Sequence, residues 1–241
     1  MNTSNFSGKV ALITGAAGNL GTAVAAAFHA AGAQLALVDL DMGRLEQVYP
    51  NHGPARLLLA ADLLDETSVA RAVDSAAATF GRIDIACNIA GGFTSGTAVH
   101  ETPSGTWRAM FDLNAMSVVN VAKAVVPRMI AAGAGNIVNV AAAASVRGQP
   151  DMAAYVVAKN AVVRLTESMA AELRGYGVCV CCVMPTIIDT PQNRQAMPDA
   201  DTSQWTPPAA IAEVILFLAS DAAMILSGCA VPVGGRSRSR E

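Results

Sequence analysis

Hydrophobic and polar positions alternate along the chain in two textures. Short runs rich in β-branched residues and Leu, each bounded by Gly, Asp or Asn, fall at Val10–Thr14, Leu35–Val38, Arg56–Ala60, Ile83–Cys87, Asn136–Val140, Val178–Val183 and Cys229–Val233; they read as strands. Longer Ala-rich stretches with helical spacing of apolar residues separate them and predict helices near Asn19–Ala31, Asp65–Phe80, Thr106–Ala132, Ala153–Tyr176 and Pro208–Leu218. Several strands are apolar almost throughout, as a sheet covered on both faces requires. Strands joined through helices imply right-handed crossovers. The expected fold is a single-domain α/β doubly wound sheet of seven mainly parallel strands, with its ligand site at their carboxyl ends. Pro232 cannot donate to a ladder, which places the last strand at a sheet edge.

Composition narrows the class. Of 241 residues, 53% are hydrophobic and only 15% charged, against roughly a quarter charged in ordinary soluble domains. Disorder is excluded, and much surface must be hidden in a core or against other subunits. The 48 alanines and 5% aromatic content point to close approach of helices and strands. No linker divides residues 1–235, taken as one domain; 236–241, with alternating Arg and Ser, is expected to be a frayed tail. A net charge of −3 without Lys/Arg blocks argues against nucleic acid, which needs clustered cations.

Five cysteines, three of them within Val178–Val183, are expected to be buried small hydrophobes in a reducing compartment. His29, His52 and His100 are scattered, so no metal is expected. The first five residues lack a cationic segment, and no unbroken apolar run approaches 18 residues. A cytoplasmic protein without a membrane span is expected.

Chemistry begins where the first strand meets Thr14-Gly15-Ala16-Ala17-Gly18-Asn19-Leu20-Gly21 and then a helix. Glycines there let the backbone approach a pyrophosphate, and the helix N-terminus supplies amides and a positive dipole end. Gly15, Asn19, Leu20 and Gly21 are the expected pyrophosphate contacts. The second strand ends in Asp39, a carboxylate able to accept both ribose hydroxyls and to repel a 2′-phosphate; no adjacent cation welcomes that phosphate. NAD(H) is therefore expected over NADP(H).

From Lys9 to Gly235 the sequence resembles the short-chain dehydrogenase/reductase family, a Rossmann-type fold. TGAAGNLG resembles TGxxxGxG with Asn19 in the middle glycine's place, a residue that tolerates positive φ. Asn88-Ile89-Ala90-Gly91 resembles NNAG, Tyr155-Val156-Val157-Ala158-Lys159 is YxxxK, and Pro185 to Thr190 resembles PGxIxT. The resemblance implies cofactor contacts for Asp62 and Leu63 beside adenine, Asn88, Ala90, Pro185 and Ile188, with Thr190 on the nicotinamide carboxamide. It also implies a water-holding role for Asn114 and ribose binding by Lys159. Residues four apart share a helix face, so the Lys159 ammonium is expected to lower the Tyr155 pKa and make that phenol the acid/base for hydride transfer to a carbonyl or from an alcohol.

The family's substrate-orienting Ser is replaced by Ala142. Three readings remain open: Ser145 supplies the hydroxyl, the substrate is already activated, or the chain is a non-catalytic NAD(H) sensor. The stretch Asp189–Pro207 resembles that of quinonoid dihydropteridine reductases, whose electron-poor substrate fits the second reading. Residues 186–207 carry Pro, Asn and Asp at breaker density, and a lid over the cofactor is expected. Met184 and Trp205 are candidates to line its pocket. Family members associate through the two long helices, so a homodimer or homotetramer acting on a small molecule is expected.

Overall fold

The computed structural model describes residues 5–51 and 53–234; His52, Gly235 and the expected tail lie outside them. Seven strands form one sheet: β1 (Val10–Thr14), β2 (Gln34–Asp39), β3 (Arg56–Ala60), β4 (Ile85–Asn88), β5 (Gly135–Val140), β6 (Val178–Pro185) and β7 (Ala230–Val233). Their order is β3-β2-β1-β4-β5-β6-β7, and every neighbouring pair is parallel. Since β1 leads to β2 on one side and lies beside β4 on the other, the order reverses at β1, where a crevice opens beyond the strand ends. The edge position of β7 suits Pro232.

The helices are α1 (Asn19–Ala30), α2 (Met42–Val48), α3 (Glu66–Phe80), α4 (Ser104–Phe111), α5 (Ser117–Ala132), α6 (Ala153–Leu173), α7 (Pro191–Ala196) and α8 (Pro208–Leu218). One face of the sheet buries Val24 and Phe28 of α1 with Ile211 and Ile215 of α8. The other buries Val69 and Val73 of α3 with Val121, Val125 and Met129 of α5. Removing such side chains from water stabilises the fold by roughly 1.5–3 kcal/mol each.

Several boundaries depart from the sequence pattern for identifiable reasons. β4 begins at Ile85 rather than Ile83 because the Asp84 carboxylate takes the Val10 amide at 2.9 Å and pairs with Arg82 and Lys9. The expected Thr106–Ala132 helix is two helices separated by a π-turn at Asp112–Met116, where the Ser117 amide reaches back to Asp112. α6 stops at Leu173, and its last residues tighten into a 3-10 turn before Gly177 at φ 70°. α2 is additional: Asp41 caps it by accepting from the Gly43 and Arg44 amides. The π-turn joins α4 and α5 into an apolar stretch, Ser104–Ala132, long enough to cross a bilayer; Val118, Val121, Val125 and Met129 of α5 are buried in the protein's own core. Cys87, Cys179, Cys181 and Cys182 are buried core residues, whereas Cys229 is exposed just before β7, unlike the expectation for it.

Candidate active site

The turn after β1 is shaped by contacts that leave no room for a side chain. Gly15 sits at φ 63°, and a Cβ there would lie 2.9 Å from the Ala90 backbone; a Cβ on Gly21 would lie 2.1 Å from the Gly15 carbonyl oxygen. The chain thus closes tightly enough to expose the first amides of α1, whose N-cap, Gly18, offers them no side-chain acceptor. A diphosphate fits this cradle, with Asn19, Leu20 and Gly21 in the first turn. The cradle is fastened to its neighbours. The Thr14 hydroxyl accepts from the Ile89 and Ala90 amides at 3.1 and 3.3 Å, and the Ala16 carbonyl accepts from the Tyr49 hydroxyl at 2.7 Å.

Asp39 ends β2 beside this turn. Its Oδ2 accepts from the Ala17 amide and its Oδ1 from the Leu40 amide, both at 2.9 Å. Each oxygen keeps a second lone pair for a ribose hydroxyl. Asp62 and Leu63 follow β3 on the same flank, with Asp62 exposed and the Leu63 carbonyl held by Asn120 at 2.9 Å. Asn88 is turned into the sheet instead: its Nδ2 donates to Asn139 at 2.8 Å, and Asn139 donates to Thr166 at 2.9 Å. That chain ties β4 to β5 and α6 beneath Ala90.

On the other flank, Tyr155 and Lys159 stand one turn apart on α6. Lys159 is 5% exposed, and its Nζ donates to the Val140 carbonyl at 2.9 Å. Burial lowers its pKa to about 8. Burial also pushes the Tyr155 phenol up to about 12, against the expectation that Lys159 lowers it: loss of water around the phenol sets the shift, and the Lys159 ammonium is engaged by a carbonyl. Among the described residues the Tyr155 hydroxyl makes no hydrogen bond. Asn114, set in the π-turn, accepts from the Gly92 amide at 3.1 Å and donates to the Met110 carbonyl at 2.9 Å. A Cβ on Gly91 would meet both Asn114 Oδ1 at 2.7 Å and Lys159 Nζ at 3.1 Å, so these groups converge on one point.

Ala142 follows β5 and is buried. Ser145 is 2% exposed, and its hydroxyl donates to the Ala142 carbonyl at 2.6 Å inside its own 3-10 turn. Reaching a substrate would require breaking that bond and unburying the side chain. Sequence reasoning missed Phe93: its ring meets Tyr155 edge-on, with centroids 4.9 Å apart, yet it is 62% exposed. A large aromatic inside the Gly/Ser/Thr-rich loop following Gly91 was the available signal.

The region after β6, where a lid is expected, is pinned at its base. Ile188 bridges to Thr206, the Asp189 amide donates to the Thr206 carbonyl at 2.9 Å, and the Thr206 amide donates to the Ile187 carbonyl at 2.8 Å. The Thr190 hydroxyl caps α7 by accepting from the Asn193 amide at 3.2 Å. Trp205 is buried at the lid's base and Met184 packs on Val118 and Val162. Asn19 does not use positive φ; it is the first residue of α1, and its Nδ2 donates to Gln192 of α7 at 2.7 Å. Gln192 was not expected to take part.

Residues 9–201 match the short chain dehydrogenase family. The chain is 36% identical over 240 residues to the D-threitol dehydrogenase of Mycolicibacterium smegmatis, covering 95% of this chain and 92% of that one. Among solved structures, NAD+-bound xylitol dehydrogenase is similar at a TM-score of 0.88 and 29% identity, covering 96% of this chain and 99% of the other. The NADH complex of 3-ketoacyl-(acyl-carrier-protein) reductase from Brucella melitensis follows at 0.86 and 30%, covering 96% and 98%. None of these three is a dihydropteridine reductase. With the strand order, the phosphate cradle and the Tyr155/Lys159 pair in place, the chain belongs to the short-chain dehydrogenase/reductase family of oxidoreductases.

Proposed function

We propose that the protein interconverts a secondary alcohol and its ketone with NAD(H), using Tyr155 as the acid/base. The observation that carries this reading is the convergence of Lys159 and Asn114 beside Gly91, with Tyr155 one turn from Lys159 on α6, at the strand ends that also form the diphosphate cradle. The coenzyme, when bound, supplies or accepts the hydride. In reduction, the Tyr155 hydroxyl donates its proton to the substrate oxygen; in oxidation, the same oxygen recovers it. Lys159, one turn from Tyr155 on α6, keeps its positive charge up to about its pKa of 8 and presents its ammonium to the nicotinamide ribose. Asn114 orients the Gly92 amide and the water that passes protons onward.

Asp39 supports NAD(H), because a carboxylate at the ribose accepts hydroxyls and repels a third phosphate charge. Asp62, Leu63, Asn88, Ala90, Pro185, Ile188 and Thr190 complete the proposed coenzyme contacts, some through their backbone. Phe93, edge-on to Tyr155 and exposed, gives the substrate side an apolar surface, which favours a compound with a carbon skeleton to lay against it. Ala142 provides no hydroxyl for the developing oxyanion, a group whose loss costs on the order of 2–4 kcal/mol in comparable sites. An electron-poor acceptor such as a quinonoid ring is thus the second reading. The apolar faces of α5 and α6, lined by Val119, Val126, Leu165 and Met169, support a homodimer or homotetramer.

The test is a panel of polyols, cyclic secondary alcohols, their ketones and a quinonoid dihydropterin, each assayed with both coenzymes. Turnover of an alcohol/ketone pair with NAD(H) is the expected result. Turnover of the quinonoid compound alone supports the second reading, and coenzyme binding without any turnover contradicts both.

A further inference from the structure

We infer that Asn19 and Gln192 form a clamp that holds the lid over the coenzyme diphosphate and slows coenzyme release. The inference rests on the coenzyme-binding part of the proposed function. Position 19 is where the family's turn carries a glycine, and the local backbone does not explain the change. Asp151 is the one non-glycine residue with positive φ among the described residues, and Asn19 lies inside α1. What the substitution adds is a side chain, and that side chain reaches across 173 positions of sequence to Gln192 at 2.7 Å.

Both ends of the bridge are well placed for such a task. Asn19 belongs to the first turn of α1, beside the amides that fit a diphosphate. Gln192 is on α7, a short helix fixed to the lid's base as one unit. Asn193 Nδ2 donates to the Ile188 carbonyl at 2.8 Å, and Arg194 gives two hydrogen bonds to Asp189 at 2.6 and 2.8 Å. A ligand held by the α1 amides therefore lies beside a bond that joins the two walls of its groove. Both side chains are exposed, so water competes for the bond and it can open and close without disturbing the core. Asn19 and Gln192 are positioning residues: they touch no reacting atom and act through the lid.

The experiment is stopped-flow release of NADH, followed by coenzyme fluorescence, from the wild type, Asn19→Ala, Gln192→Ala and the double variant. Limited trypsin cleavage after Arg194, the basic residue within the lid, is measured on the same proteins without coenzyme. Each single change is expected to speed NADH release about three- to tenfold, the range for losing one ordinary hydrogen bond. The double variant is expected to match the faster single one, since either removes the same bond. Cleavage after Arg194 is expected to accelerate in parallel while circular dichroism stays that of the wild type. Release and cleavage rates that do not change, or effects that multiply in the double variant, overturn the clamp while leaving the coenzyme assignment intact. Failure of the wild type to bind NADH overturns both.

Discussion

The two flanks of the crevice are built by different physics. On the β1–β2 flank, every contact involves backbone: Gly15 against the Ala90 backbone, Gly21 against the Gly15 carbonyl, and the Ala17 amide on the Asp39 carboxylate. On the β5–α6 flank, side chains carry the contacts: the Phe93 ring lies edge-on to Tyr155, and the Asn114 side chain takes the Gly92 amide. Contacts of the first kind tolerate almost no change in residue. Those of the second kind can be exchanged one side chain at a time, so this flank is the one that single substitutions can reshape.

The largest effect that distinguishes the flanks is expected at Gly21. A Cβ there would lie 2.1 Å from the Gly15 carbonyl oxygen, and backbone has nowhere to go. Gly21→Ala is expected to weaken NADH binding by at least about 100-fold and to lower stability by about 1–3 kcal/mol, the usual range for overpacking. Fluorescence titration and thermal unfolding check this, and near wild-type values would show that the turn is slack.

A smaller effect is expected at Asp39. Asp39→Ala is expected to shift the kcat/KM ratio of NADH over NADPH by about 10- to 100-fold toward NADPH, equivalent to about 1.4–2.8 kcal/mol. An unchanged ratio would mean that the carboxylate serves only to hold the Ala17 and Leu40 amides.

The smallest expected effect concerns pH on the β5–α6 flank. Lys159 has a folded pKa of about 8 against an ordinary value of 10.5, because burial disfavours its charge. Its charge is therefore lost as pH rises through 8, while Tyr155, pushed up to about 12, is still protonated. Reductive kcat/KM is expected to decline above about pH 8. The Lys159 contribution to stability is expected to move the other way: between about 8 and 10.5 its native form binds fewer protons than its unfolded form, which raises the unfolding free energy with pH. The buried thiols of Cys182, pushed up to about 11, and Cys87, also raised, act against it. Denaturant titrations of the wild type and Lys159→Met at pH 8 and 10 check the sign: the stability of the wild type minus that of the variant should rise between the two pH values, and a difference that stays level contradicts the shift.

The same division decides how much could be read from sequence. β1, β3 and α8 fall where the apolar pattern places them, because each is a local run whose period and flanking residues agree. The phosphate turn was legible because glycine spacing reports a backbone requirement. The π-turn around Asn114 was not, since a single π-turn of five residues shifts the helical phase too briefly for the apolar pattern to register it. Ser145 and Phe93 were missed or misjudged for a related reason. A hydroxyl bonded to Ala142 and a ring laid on Tyr155 are outcomes of loop packing, which no local pattern records. Asn19 lies between these cases: its departure from glycine was visible, but its partner 173 residues away was not.

The central claim is that Tyr155 moves the proton in an NAD(H)-dependent hydride transfer, and Tyr155→Phe tests it most directly because only the hydroxyl is removed while the ring stays against Phe93. Turnover of the best substrate found and NADH affinity should be measured together on this variant. The expected result is a fall in kcat of about 10²–10⁴ or more, the range for losing a positioned acid/base, with NADH affinity within a few-fold of the wild type. Turnover that survives unchanged would contradict the assignment.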